Sequence, residues 1–294
     1  MNIKDLAGLS QPITLFIQKI ADATGGVCRP WQTLRVADAE ARAEVIRAKA
    51  KIEIGSLEER AVNRFVYEQI KQQANIEQIT QKAFPQITDD AKPDLVENDW
   101  VTHFLEKCRL ISDEDLQKIW AKLLAGQMNK PGKFSKRSID WLAAASKHDA
   151  ETLVKLRNIV CEINGISEAI QFEHHESVKF DLFFCRELES SGLLSIADGM
   201  NYIRANPKPP QQFEIRYFDS VVKVTKWQSA SQAFCVGRLN LSQTGKELIS
   251  LCNGNPIPEF FTEALRNMRQ WNHIETEPPI SSVTSPATGS VPVV

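Results

Sequence analysis

The sequence predicts a mainly α-helical protein with a small α+β module at its C-terminal side: a long N-terminal helical arm, a helical middle domain and a winged-helix-like C-terminal domain. Three observations carry this. Apolar residues recur at helical spacing from residue 10 to about residue 164, period-two alternation appears only from Phe213, and helical patterning resumes at Ser242.

Residues 10–24, SQPITLFIQKIADAT, set Ile13, Phe16, Ile17 and Ile20 at helical spacing behind a Ser10-Gln11-Pro12 start, and Gly25-Gly26 ends the pattern. The polar face offers Gln18, Lys19 and Asp22 instead of the basic band of an interfacial helix. Packing against protein is therefore favoured over a peripheral membrane contact through 10–24, and residues 1–30 form a short amphipathic segment.

Residues 31–84 read as a charged, alanine-rich helical arm. Between Arg35 and Arg60 six basic residues face six acidic ones, so the arm is a mixed-charge surface. Ala41, Val45, Ala48 and Ile52 make a narrow seam of a/d character that suits close helix pairing, until Gly55 interrupts it. A solvated helix leaning on its own domain explains the same pattern; the seam makes self-association through these four residues the sharper expectation.

ITDDAKPDLVEN is a polar connection, and a helical domain follows over 94–164. Asn98 is placed to cap a helix carrying Trp100, Phe104, Leu105 and Cys108. Ser112 is placed to cap the next, with Asp113, Glu114 and Asp115 at its positive end. Capping accounts for those carboxylates without catalysis. Leu116, Ile119, Trp120, Leu123 and Leu124 supply an apolar stripe, Pro131-Gly132 turns the chain, and Ser135 starts a helix with Ile139, Trp141, Leu142 and Ala145. A third helix is expected over HDAETLVKLRNIVCEI. The corner between the second and following helices holds Lys130, Lys133, Lys136 and Arg137 without an acid. It is either a solvated loop or a contact for an anion or an acidic partner, helped by free N–H groups at the helix start.

Residues 165–275 form the α+β module. FDLFFCRELESSGLL is a helix running to Gly192, and QFEIRYF, VVKVTKW and AFCVGRL are strands, with Asp219-Ser220 as a turn between the first two. Ser242 caps QTGKELISLC, and Pro258 opens a helix with Phe261, Leu265 and Met268 on one side. Residues 276–294, with four prolines, are expected to be a disordered tail.

With 294 residues, 43% hydrophobic, the chain has material for two modest domains. Its 35 Lys plus Arg against 37 Asp plus Glu create no global field for nucleic acid or anionic lipid. Residues 165–277 hold 11 basic and 14 acidic residues, a formal −3, so a winged module here starts badly as a DNA binder. Six scattered cysteines without a CxxC pair, and no evident secretory signal, point to the cytoplasm. No apolar run of 18 residues is present. The His174-His175 pair with Glu173 and Glu176 has poor metal-ligand spacing on strand or helix. TGKE at 244–247 lacks the first glycine and the Ser/Thr of a phosphate loop. No nucleophile elbow, HExxH, kinase or dinucleotide motif occurs, so neither catalytic residues nor a cofactor or metal site are assigned.

The block DEDLQKIWAKLLAGQMNKPGKFSKRSIDWLAAASKHDAETLVKL resembles a bacterial family known only as a domain of unknown function, with a QxxWAxLLAG…PGxFSxR core. LSQPITLFIQKIADATGGVCRPWQTLRVADAEARA is similar to the entry segment of those proteins and of the abortive-infection alpha group, and LNLSQTGKELISLC to their shared C-terminal helix entry. Phe134, Ser135 and Arg137 match the core. The resemblance implies a role in phage defence and assigns no catalytic residue.

The expected function is that of a cytoplasmic, bacterial, non-catalytic interaction protein that self-associates and contacts a further protein partner. The alternative is a nucleic-acid-binding regulator using the basic 130–137 corner and the C-terminal module. An unrecognised hydrolase is the third reading.

Overall fold

The computed structural model describes residues 10–24, 46–47, 49, 56–171, 182–197, 203–230, 232–257 and 259–283. The chain divides into two compact units, Met1–Ala144 and Ala145–Val294.

In the first unit α1 spans Gln11–Ala23; of the predicted stripe Phe16, Ile17 and Ile20 are buried and Ile13 half-buried, and Ala21 joins the buried face. Helix α2, Leu57–Ala83, opens with a capping box: the Glu59 N–H donates to Ser56 Oγ at 3.3 Å and the Ser56 N–H to Glu59 Oε2 at 2.7 Å. At 27 residues it is roughly 40 Å long. Its C-terminal half buries Asn75, Ile76, Ile79, Thr80 and Ala83, whereas Leu57, Val62, Phe65 and Val66 in its first half are exposed. The arm drawn from sequence to residue 84 is thus half core, because α2 packs along α4 in the same unit.

Helix α3, Asn98–Cys108, starts one residue after its cap, Glu97, so Asn98 is its first turn and not its cap. It buries Trp100, Val101, Phe104, Leu105 and Cys108, packs on α1, and stacks Trp100 on Phe104 at 5.4 Å. Helix α4 is Glu114–Asn129. Asp113, not Ser112, caps it, accepting from the Asp115 and Leu116 N–H groups at 3.1 and 2.9 Å. Ser112 instead accepts from Asn75 Nδ2 at 3.3 Å. Helix α5, Lys136–Ala144, begins directly after Ser135.

The second unit opens with α6, Lys147–Arg157, capped by Ser146 with Asp149. The third helix expected to reach Ile163 stops here. Val160–Ile163 is strand β1, paired antiparallel with β2, Ile166–Ala169, through the two-residue turn Asn164-Gly165. Both turn residues have positive φ, 50° and 77°, the backbone that an Asn-Gly hairpin supplies at low cost. Helix α7, Leu182–Ser190, ends at Gly192 as expected, with φ 76°. Strands β3, Leu194–Ile196, and β4, Ile203–Arg204, follow.

Strand β5, Phe213–Tyr217, turns its three aromatic and aliphatic residues inward, as its alternation predicts, and pairs with β6, Ser220–Lys226. The turn between them is Phe218-Asp219; Ser220 already pairs with Tyr217. Strands β7, Cys235–Gly237, and β8, Leu239–Leu241, pair with β4 and β3. Ser242 caps α8, Gln243–Ile249, accepting from the Gly245 N–H at 3.0 Å. Helix α9, Phe260–Asn272, buries Phe260, Phe261, Ala264, Leu265, Met268 and Asn272. Strand β9, Glu275–Glu277, completes a five-stranded antiparallel sheet of order β2-β1-β5-β6-β9. Of the residues assigned to the tail by composition, Thr276 and Glu277 belong to this strand, and Ile280 is buried in the 3-10 turn Ile280–Ser282. Strand pairing and one apolar anchor outweigh their prolines. The architecture is mainly α with an α+β C-terminal unit.

Candidate functional site

The basic corner is built by the C-terminal end of α4 and the start of α5. Gly126 leaves room for the Phe134 ring: a Cβ there meets Phe134 Cε2 at 2.7 Å. The Phe134 N–H donates to the buried Gln127 side-chain oxygen at 2.9 Å, and Trp100 Nε1 donates to the Phe134 carbonyl at 2.7 Å. Gly132, at φ 82°, turns the chain between them. One apolar ring seated on a glycine and two hydrogen bonds from buried side chains therefore fix the corner. Of the four cationic side chains only Lys133 touches it, beside the Phe134 ring.

Lys130, Lys133, Lys136 and Arg137 are all exposed. Among the described residues none of the four forms an ion pair. Lys133 Nζ lies 5.0 Å from the Phe134 ring centroid, and desolvation there, aided by repulsion from Lys130, holds its ammonium below the usual lysine range. The arrangement can attract an anion. Ala41, Val45, Ala48 and Ile52, the expected self-association seam, lie outside the described residues, as does the 173–176 cluster.

Sequence reasoning missed a polar groove of about 480 Å³ beside α2 and the start of α4, lined in part by Lys71, Gln78, Lys82, Ser112, Glu114 and Gln117. Lys82 Nζ donates to Gln117 Oε1 at 2.6 Å, and Gln117 Nε2 donates to Gln78 Oε1 and the Ile111 carbonyl, each at 3.0 Å. Asn75 Nδ2 donates to the Arg109 carbonyl at 2.8 Å. These amides spend their hydrogen bonds on Lys82, Ser112, each other and the Arg109 and Ile111 carbonyls, so the groove reads as the polar seam that registers α2 on α4. Its one signal in the sequence was Gln117, a polar residue inside the stripe of α4.

Two histidines face carboxylates: His103 Nε2 is 2.8 Å from Asp140 Oδ1, and His148 Nε2 is 2.6 Å from Glu187 Oε1. Among the described residues no hydroxyl or thiol bonds either imidazole, and Thr152 Oγ1 donates to Glu187 instead, at 3.5 Å. A base without a nucleophile completes no acyl-transfer site. Of the cysteines, Cys108 and Cys161 have thiols that burial pushes far above their ordinary range, the opposite of activation. No cluster of potential metal ligands occurs among the described residues, and no helix among them is long and apolar enough to cross a membrane.

The family described as "Protein of unknown function (DUF2806)" matches residues 59–265, well over half of the chain. No curated protein and no solved structure matches.

Proposed function

We propose, from the premise that the chain belongs to this family of unknown function, that it is a non-catalytic protein acting through association with copies of itself and with a protein partner. The first half of α2 carries the reading. Leu57, Val62, Phe65 and Val66 are 75, 62, 62 and 45% exposed on one stretch of helix. Each large apolar side chain moved out of water contributes about 1.5–3 kcal/mol when fully buried, so pairing two copies of this stretch supplies a real driving force. In the sequence it follows the seam expected at Ala41, Val45, Ala48 and Ile52, beyond Gly55.

The C-terminal unit is read as winged-helix-like and used for protein contact, given its formal −3. A cytoplasmic setting is read from the scattered cysteines, and a bacterial origin with a place in phage defence from the sequence resemblance to a bacterial family and to abortive-infection proteins. A second reading is favoured by one observation. In the QxxWAxLLAG…PGxFSxR stretch, Gln117, Trp120, Gly126 and Phe134 have packing roles, while Arg137 is exposed without an ion pair. The corner is then the contact for an acidic partner or a nucleic-acid backbone.

Light scattering after size exclusion tests the main reading. Deleting residues 1–84 would strip Ile76, Ile79 and Ala83 from the core, so the informative variant is Val62→Asp with Phe65→Asp, both exposed. The full chain should be a multimer, and the variant a smaller assembly with unchanged circular dichroism. A monomeric wild type across micromolar concentrations, or an unaltered assembly in the folded variant, rules the reading out.

A further inference from the structure

The second unit carries a concentration of positive charge that neither its fold nor the proposed self-association uses. Arg266, Arg269 and Gln270 stand at i, i+3 and i+4 on α9, on the side turned away from Phe261, Ala264, Leu265 and Met268, and His273 follows as the residue that caps its C-terminus. With Ile274 and Glu275 they line an open groove of about 470 Å³. Arg266, Arg269, Gln270 and His273 are exposed, and among the described residues neither arginine forms an ion pair. The one carboxylate in the groove, Glu275, is 3.5 Å from Lys226 on the neighbouring strand and is thereby engaged.

The backbone under this groove is held firmly. Asn272 is fully buried, accepts from the Cys235 N–H at 2.7 Å and donates to the Cys235 carbonyl at 2.9 Å. Its own carbonyl accepts from the Gln228 N–H at 2.9 Å, and the His273 N–H donates to the Arg269 carbonyl at 2.9 Å. His273 itself is held at φ 44°, in the left-handed region. On a clamped helix end only the side chains, and not the backbone, have to be ordered when a ligand arrives. A helix C-terminus favours cations, which accounts for the sign of the charge. It does not account for two guanidiniums, an amide and an imidazole lining one concavity in a unit whose sequence is otherwise acidic.

We propose that this groove binds a phosphomonoester. Two guanidinium forks match oxyanion edges. The dianion, carrying about −1.5 to −2 at neutral pH and three acceptor oxygens, satisfies more of the donors than a monocarboxylate does. A nucleic-acid phosphate carries a single charge between two ester links and presents two free oxygens, so it fits the same donors less well.

The test uses the full chain with isotope-labelled histidine, titrated with inorganic phosphate and with O-phosphoserine against sodium chloride at matched ionic strength. The His273 ring signal should move saturably with both phosphates and not with chloride. Arg266→Gln with Arg269→Gln should raise Kd roughly tenfold or more, while Lys130→Gln with Lys133→Gln leaves it unchanged. Arg266→Lys with Arg269→Lys, which keeps the charge and loses the forks, should recover part of the affinity. A response equal to that of chloride, an unchanged Kd in the glutamine pair, or no recovery in a natively folded lysine pair overturns the site. Tighter binding of a DNA duplex at equal phosphate concentration through the same two arginines overturns the monoester assignment.

Discussion

Gly126 has no space for a side chain. Helix α4 continues past it to Asn129, and the glycine is needed because the Phe134 ring lies on it. Gly126→Ala forces the ring edge or the helix to move by several tenths of an ångström, an overpacking change that costs about 1–3 kcal/mol. Chemical denaturation should show that loss with an unchanged slope; a neutral substitution would mean that Phe134 is not seated there. The polar residues of the core were the least legible single positions. Gln117, Gln127 and Asn272 are buried, yet amides are assigned to the surface on composition. Asn272 pairs with the backbone of Cys235 and Gln117 with the side chains of Lys82 and Gln78, partners distant in the sequence, while Gln127 closes the corner on the Phe134 N–H; no apolar periodicity encodes any of these.

At the scale of elements, periodicity found the long helices and the alternating strand β5, where one face is plainly apolar. It failed at Val160–Ile163, whose apolar positions continue a helical spacing from α6. The Asn164-Gly165 pair was the better signal, because a two-residue hairpin turn requires positive φ at both positions. That hairpin also delivers Glu168, on β2, to Lys246, on α8, at 3.2 Å. Burial raises the Glu168 carboxyl above its ordinary 4.5 by more than Lys246 and the Asn206 backbone lower it. A carboxyl with a raised native pKa keeps its proton longer in the folded state than in the unfolded one. Its contribution is therefore greatest below 4.5 and falls as pH rises through the raised value. Glu168→Gln removes this titration. Urea midpoints measured from pH 4.5 to about neutrality should show wild type losing ground relative to the variant as pH rises. A constant difference would place the Glu168 titration at its unfolded value.

For the whole molecule, charge decides between association with protein and association with nucleic acid. The chain carries a formal −2, and residues 165–277 a formal −3, so its cations act as local patches on a weakly repulsive background. The corner was legible as a patch because four cations fall within eight residues; the α9 stripe was not, since its members are spaced along a helix and balanced by acids elsewhere in the sequence. If the corner binds duplex DNA and all four cations neutralise phosphates, the slope of log K against log salt is about −3.6. Affinity then falls on the order of a hundredfold between 50 and 200 mM salt, leaving only weak binding near physiological conditions. Fluorescence titration of the full chain with unrelated duplexes should therefore give no submicromolar binding at about 150 mM salt. Changing Lys130, Lys133, Lys136 and Arg137 together to glutamine should remove whatever salt-dependent binding remains, with the fold intact because Gly126, Gln127, Phe134 and Trp100 still make the corner. Submicromolar binding, or a slope much steeper than four cations allow, would reject the self-associating interaction protein in favour of the nucleic-acid regulator, with contacts recruited from beyond the corner.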